Sequence, residues 1–120
     1  MKRTFRLTSS IDIKRVRRYG SSLAHPLLVL LFHPNELQRS RFAVSAGRSV
    51  GGAVERNRAK RLLREALNDL LPNIPSGWDF VVIAREPLAE SSFQEARSAL
   101  QSLLNQSGLI DQPYDHRKTL

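Results

Sequence analysis

The order of hydrophobic patterns along this 120-residue chain predicts an α+β fold, a sandwich of helices on a small sheet. Three observations carry that expectation. Apolar runs of strand length occur at 27–33 and 80–84, with an alternating stretch at 41–46. Two segments, about 54–71 and about 92–106, instead repeat apolar residues at helical spacing. A shorter, mostly basic helical stretch precedes them all. The resulting order of helix, strands, helix, strand and helix suits one domain over 1–110, since a chain of this length encloses a single core but not two.

Each element has a local cause. Ser9 or Ser10 can cap the first helix, in which Ile13 and Val16 recur three apart, Lys14, Arg15, Arg17 and Arg18 take the remaining surface, and Gly20 ends the helix. LLVLLFH, residues 27–33, lies between Pro26 and Pro34-Asn35 and reads as a buried strand; the segment around Ser21 to Ala24 is a candidate for another short one. RFAVSA, residues 41–46, sets Phe42, Val44 and Ala46 on one side and Arg41, Ala43 and Ser45 on the other, as a strand with one packed face does. The polar connection between these strands predicts an antiparallel hairpin. In the next helix Ala59, Leu62, Leu63, Ala66 and Leu70 share one face, and Pro72 stops it. Asp79 then leads into FVVIA, a second buried strand, and the last helix carries Phe93, Ala96, Leu100, Leu103 and Leu104 at core spacing before Gly108. The tail 111–120 has no periodicity and is expected to be mobile. Connectivity leaves the strand order open.

Charge is distributed unevenly. The net charge is +8, but residues 1–64 hold 15 Lys and Arg against three acids, whereas 65–120 hold four against eight, so the halves are +12 and −4. The densest run is RNRAKRLLR, Arg56 to Arg64, in which Arg56, Lys60 and Arg64 stack at i,i+4, a repulsive spacing, with Glu55 and Glu65 only flanking. Helical phase puts Asn57, Lys60, Arg61 and Arg64 in one arc opposite the apolar face, with Arg56 and Arg58 at its borders. Such an arc needs a polyanion. Phosphates of nucleic acid fit better than a membrane surface, because no amphipathic helix with large apolar anchors accompanies the charge. Asn57 adds an amide that both donates and accepts, suited to a phosphate, a 2′-hydroxyl or a base edge. Gly51 and Gly52, before the helix, make a candidate anion-binding turn, although a plain strand-to-helix turn uses glycine equally well.

Other functions find little support. With no cysteine there is no disulfide framework and no Cys-based zinc site, which fits a reducing cytoplasm. The N-terminus has cations but no apolar region of a secretory signal, and the longest apolar run is too short to span a bilayer. His25, His33 and His116 lack metal spacing, Asp111 with Asp115 and Glu86 with Glu90 read as solvated surface, and Walker, HExxH and GxSxG patterns are absent. No catalytic or metal-ligating residue is therefore expected, and a self-sufficient protein nuclease would want a carboxylate cluster. A structural RNA-binding protein of the ribosomal type stays open as an alternative.

The stretch SAGRSVGGAVERNRAKRLLR, Ser45 to Arg64, resembles the signature of the bacterial ribonuclease P protein subunit, and RLTSSIDIKRVRRYG and DFVVIAREP fit its N-terminal segment and its last strand. The resemblance implies an αβββαβα two-layer sandwich with a small central sheet and a left-handed crossover, the fold of a ribosomal protein domain. It further implies the protein cofactor of a ribozyme that removes the 5′ leader of precursor tRNA. Its partners would be ribonuclease P RNA and precursor tRNA, with no membrane and no protein partner, and magnesium would be held by the RNA. Arg56, Asn57, Arg58, Lys60, Arg61 and Arg64 would meet the catalytic RNA. A cleft between the first helix and the sheet, with Ile13, Lys14, Arg17, Arg18, Leu31 and Arg48, would hold the leader. Aromatics common in the family at the positions of Ile13, Arg17 and Leu31 are missing here, and its lysine pair is Arg48-Ser49. Leader affinity should then lean on Lys14, Arg17, Arg18 and Arg48, with Phe5 and Tyr19 as candidates to compensate.

Overall fold

The computed structural model describes residues 3–110; the tail expected at 111–120 lies outside them. Three helices and four strands follow in the order α1 (Ser10–Tyr19), β1 (Ser21–Ala24), β2 (Leu28–Pro34), β3 (Arg41–Ala46), α2 (Ala53–Leu70), β4 (Trp78–Ala84) and α3 (Phe93–Ser107), with short 3-10 turns between several of them. The Ser21–Ala24 candidate is a strand, and every predicted helix lies within about one residue of its expected bounds.

The expected hairpin between β2 and β3 does not form. The sheet order is β1-β2-β4-β3, with β4 antiparallel to β2 and parallel to β3. The reason lies in the residues of β4. Phe80, Val81 and Val82 are buried on alternating faces, so this strand belongs in the middle, where both faces are covered. β3 is half-exposed along most of its length and suits an edge. Ser40 helps hold it there: its hydroxyl donates to the Pro75 carbonyl at 2.6 Å and accepts from the Trp78 amide at 3.0 Å.

The period of two along each strand sorts the core into two clusters. One face carries Leu28, Leu30, Phe42, Phe80 and Val82 against α2 and α3. Across it Phe32, Phe80 and Phe42 are cross-strand neighbours, and the Phe42 and Phe80 rings stack at 5.1 Å. From α2 come Ala59, Leu62, Leu63, Ala66, Leu67 and Leu70, all buried; Leu67 joins the face expected from the sequence. Arg97 of α3 pairs with Asp69 of α2 and ties the two helices together. The opposite face is covered in part by α1 and the segment before it, from which Val16 and Leu7 pack on Leu31 and Val81.

α1 begins at Ser9, whose hydroxyl accepts from the Asp12 amide at 3.4 Å. It ends at Gly20 for a reason different from the usual left-handed cap. Gly20 has φ −75°, open to any residue, but a Cβ there would lie 2.5 Å from the Val16 carbonyl oxygen and 2.8 Å from that of Phe32. Close approach of the last turn of α1 and of β2, not backbone twist, demands glycine.

Candidate nucleic-acid interface

The α2 arc is a consequence of that packing. With the leucine face held against the sheet, Asn57, Arg61 and Arg64 are exposed and Lys60 is half-buried. Among the described residues none of Arg56, Arg58, Lys60, Arg61 and Arg64 forms a salt bridge; ion pairs there involve Arg15, Arg41 and Arg97. The two border arginines turn back onto the protein. Arg58 Nε donates to the Ala89 carbonyl at 2.7 Å, and Arg56 Nε to the Gly52 carbonyl at 3.4 Å. Their positions are thereby fixed while most of the guanidinium donors stay available.

At the head of α2, Gly51 has φ 139°, a conformation L side chains rarely adopt, and a Cβ would lie 2.9 Å from Glu55 Cβ. Gly52 is extended at φ −77° and requires no glycine. Its amide donates to Glu55 Oε1 at 3.4 Å, so the chain's own carboxylate already lies over this turn. An external anion at Gly51-Gly52 would have to displace Glu55.

On the opposite face of the sheet, α1 exposes Lys14, Arg17 and Arg18. The Arg18 guanidinium lies 5.5 Å from the centre of the Tyr19 ring, and Tyr19 is itself 66% exposed, so this end of α1 offers a solvent-facing aromatic beside cations. Leu31 is buried and belongs to the packing beneath α1, while Ile13 is half-buried and packs there with one side left open. Val29, Ala43 and Ile83 continue that apolar floor and are only partly covered. Arg48 is exposed on the 3-10 turn Arg48–Val50. Phe5 packs into the α2 side of the core, away from this floor.

An ionic network with no counterpart in the sequence motifs joins β3 to β4 and reaches α1. Asp79, with a side chain 5% exposed, accepts from Arg41 Nε at 2.9 Å, from Arg41 Nη2 at 2.7 Å and from Asn35 Nδ2 at 2.9 Å. Arg41 Nη2 also reaches Asp12 Oδ2 of α1 at 3.4 Å, and Asp12 Oδ1 pairs with Arg15 at 2.9 Å. The hydrogen bond to Asp79 raises the Arg41 pKa above its ordinary value, against the opposing effect of burial. The available signal was an acid in an otherwise apolar strand, which must find a partner; which partner depends on strand order.

Comparison with known proteins follows the same lines. A sequence profile for the family described as Ribonuclease P matches residues 1–108. The ribonuclease P protein component of Roseiflexus castenholzii is 41% identical over 111 residues, covering 92% of this chain and 91% of the relative. That of Shouchella clausii is 38% identical over 119 residues, covering 98% of each. Among solved structures, the Thermotoga maritima RNase P protein superposes with a TM-score of 0.76 at 34% identity, over 84% of this chain and 96% of that one. The Staphylococcus aureus RNase P protein gives 0.80 at 27% identity, over 89% and 98%. With the profile spanning nearly the whole chain and the fold shared by solved relatives, this protein belongs to the ribonuclease P protein family.

Proposed function

We propose that the chain is the protein subunit of a ribonuclease P, binding the catalytic RNA through the α2 arc and the 5′ leader of precursor tRNA through the α1 side of the sheet. The observation that carries the proposal is the arc itself: Asn57, Arg61 and Arg64 are exposed and Lys60 half-buried beside them, with no salt bridge to any of the three cations among the described residues. Two polyanions that must lie side by side repel, and cations on opposite faces of one thin sheet can serve both at once. Each phosphate neutralised also releases condensed counterions, which makes binding strongly salt-dependent.

On this reading Arg56 and Arg58, anchored to carbonyls, present fixed donors for phosphate oxygens, while Asn57 reads a sugar or base edge. The leader crosses the floor of Val29, Ala43 and Ile83 beside Lys14, Arg17, Arg18 and Arg48. Aliphatic packing there replaces base stacking on aromatics, with Tyr19 as the exposed ring nearby. Bond cleavage is assigned to the RNA with its magnesium ions. Among the described residues no three His, Asp or Glu side chains converge to hold a metal ion.

Reconstitution tests the proposal. The purified chain should raise the rate of precursor-tRNA cleavage by ribonuclease P RNA at magnesium concentrations where the RNA alone is slow. No enhancement, with ribosomal RNA recovered as the copurifying partner instead, would point to a structural RNA-binding role.

A further inference from the structure

The basic surfaces of α1 and α2 lie on opposite faces of the sheet, but at the outer edge of β3 Ile13 of α1 and Arg64 of α2 border the same hollow. This hollow of about 330 Å³ is lined by Arg6, Thr8 and Ile13 on one side and by Val44 and Arg64 on the other. We infer that this hollow is a binding site for a single unstacked RNA nucleotide, with Arg6, Thr8 and Val44 as binding residues not otherwise assigned.

Three features of the edge support the inference. The first is main-chain polarity. β3 has β4 on one side only, and the N-terminal segment pairs with its other side at a single bridge, Arg6 with Phe42, where the Leu7 amide donates to the Phe42 carbonyl at 2.7 Å. In a parallel ladder the N–H and C=O of one residue point to the same side, and those two residues on point there again. Val44 therefore turns its amide and carbonyl outward, past the point where the N-terminal segment departs. They form an adjacent donor and acceptor at the height of the hollow, the pair that a base edge or a 2′-hydroxyl can satisfy.

Charge is the second feature. Arg6 and Arg64 are exposed and, among the described residues, neither forms a salt bridge. Leu7 is buried between the exposed Arg6 and Thr8, so alternation alone sends both flanking side chains outward. Guanidinium planes on two sides of a concave apolar floor can sandwich a base and hold its phosphate. An open strand edge could also accept a peptide strand, but two unpaired arginines favour a nucleotide over a peptide.

The third is size. About 330 Å³ lies at the small end of ligand pockets and suits one nucleotide rather than a helix or a peptide strand.

The inference rests on the proposed ribonuclease P function, and the test separates the two. Because the chain has no cysteine, Thr8→Cys can carry a photo-crosslinker at one defined position, with Ser98→Cys on the exposed side of α3 as control. In the reconstituted complex of full chain, ribonuclease P RNA and precursor tRNA, label at residue 8 should crosslink to one single-stranded nucleotide, and end-labelling each RNA separately tells whether leader or catalytic RNA supplies it. Thr8→Trp, which fills the hollow without changing charge, should weaken binding of that same RNA by about 5- to 100-fold, the loss of one stacked base. RNA crosslinking no stronger than from residue 98, or unchanged binding by Thr8→Trp in a complex that cleaves normally, would overturn the nucleotide site alone. A wild-type chain that fails to stimulate cleavage would overturn the functional proposal and this inference with it.

Discussion

Asp79→Ala should be among the most destabilising single changes outside the apolar core. Asp79 is 5% exposed and its two carboxylate oxygens accept three hydrogen bonds, two of them from Arg41, whose side chain is 18% exposed. Removing the acid leaves Arg41 with Asp12, at 3.4 Å, as its remaining acid partner, and leaves Asn35 Nδ2 with the Arg39 carbonyl at 3.1 Å. Breaking a buried pair on one side typically costs about 3–5 kcal/mol, because an uncompensated charge stays in poorly hydrated surroundings. A domain of this kind has about 5–15 kcal/mol in total, so the loss is a large share of it. Urea unfolding of the free protein, followed by far-UV circular dichroism, measures it without any RNA. The double variant Arg41→Leu with Asp79→Leu should lose much less, under about 2 kcal/mol, since it removes both desolvation penalties together. Asp12→Ala should cost at most about 1 kcal/mol, because that acid is 21% exposed and lies farther from Arg41. If Asp79→Ala unfolds within about 1 kcal/mol of wild type, or if the losses at positions 41 and 79 simply add, Arg41 and Asp79 do not form the coupled buried pair described.

Three other outcomes follow from the same geometry. Lys60→Ala and Arg64→Ala should each flatten the salt dependence of RNA binding by up to about 0.7–0.9 log units for each phosphate no longer neutralised, measured by titration across salt concentrations; an unchanged slope would put these cations away from phosphate. Leu63→Ala should instead destabilise the fold by about 2–5 kcal/mol in urea, since Leu63 is fully buried on the inner face of α2. Glu95 caps α3 by accepting from the Ser92 amide at 3.0 Å, and these hydrogen bonds with Ser92 lower its pKa. A depressed folded-state pKa contributes stability that is present above the unfolded pKa of about 4.3 and lost as pH falls through the folded value. Glu95→Gln should therefore shrink the difference in stability between neutral pH and pH 3; an unaltered difference would show that the cap contributes nothing.

Much of the site was legible in the sequence because it sits on one helix. The phase of Ala59, Leu62, Leu63 and Ala66 determines which side of α2 is buried, and the arc of Asn57, Lys60, Arg61 and Arg64 follows from the helical repeat alone. Capping by Ser9 is equally local. Leu31 was less legible: its apolar run marks it as buried or half-buried, but only the placement of α1 makes it part of a packed floor.

The elements, their faces and the family signature are local properties of the chain, because periodicity and capping act within a few residues. Strand order is not local, and it emerges only when the whole sheet assembles. β4 enters between β2 and β3 because its residues are apolar on both faces and a central position covers both, a competition between strands far apart in the chain. From that order come the pairing of Arg41 with Asp79, 38 residues apart, and the open edge of β3 where Arg6 and Arg64, distant in sequence, line one hollow.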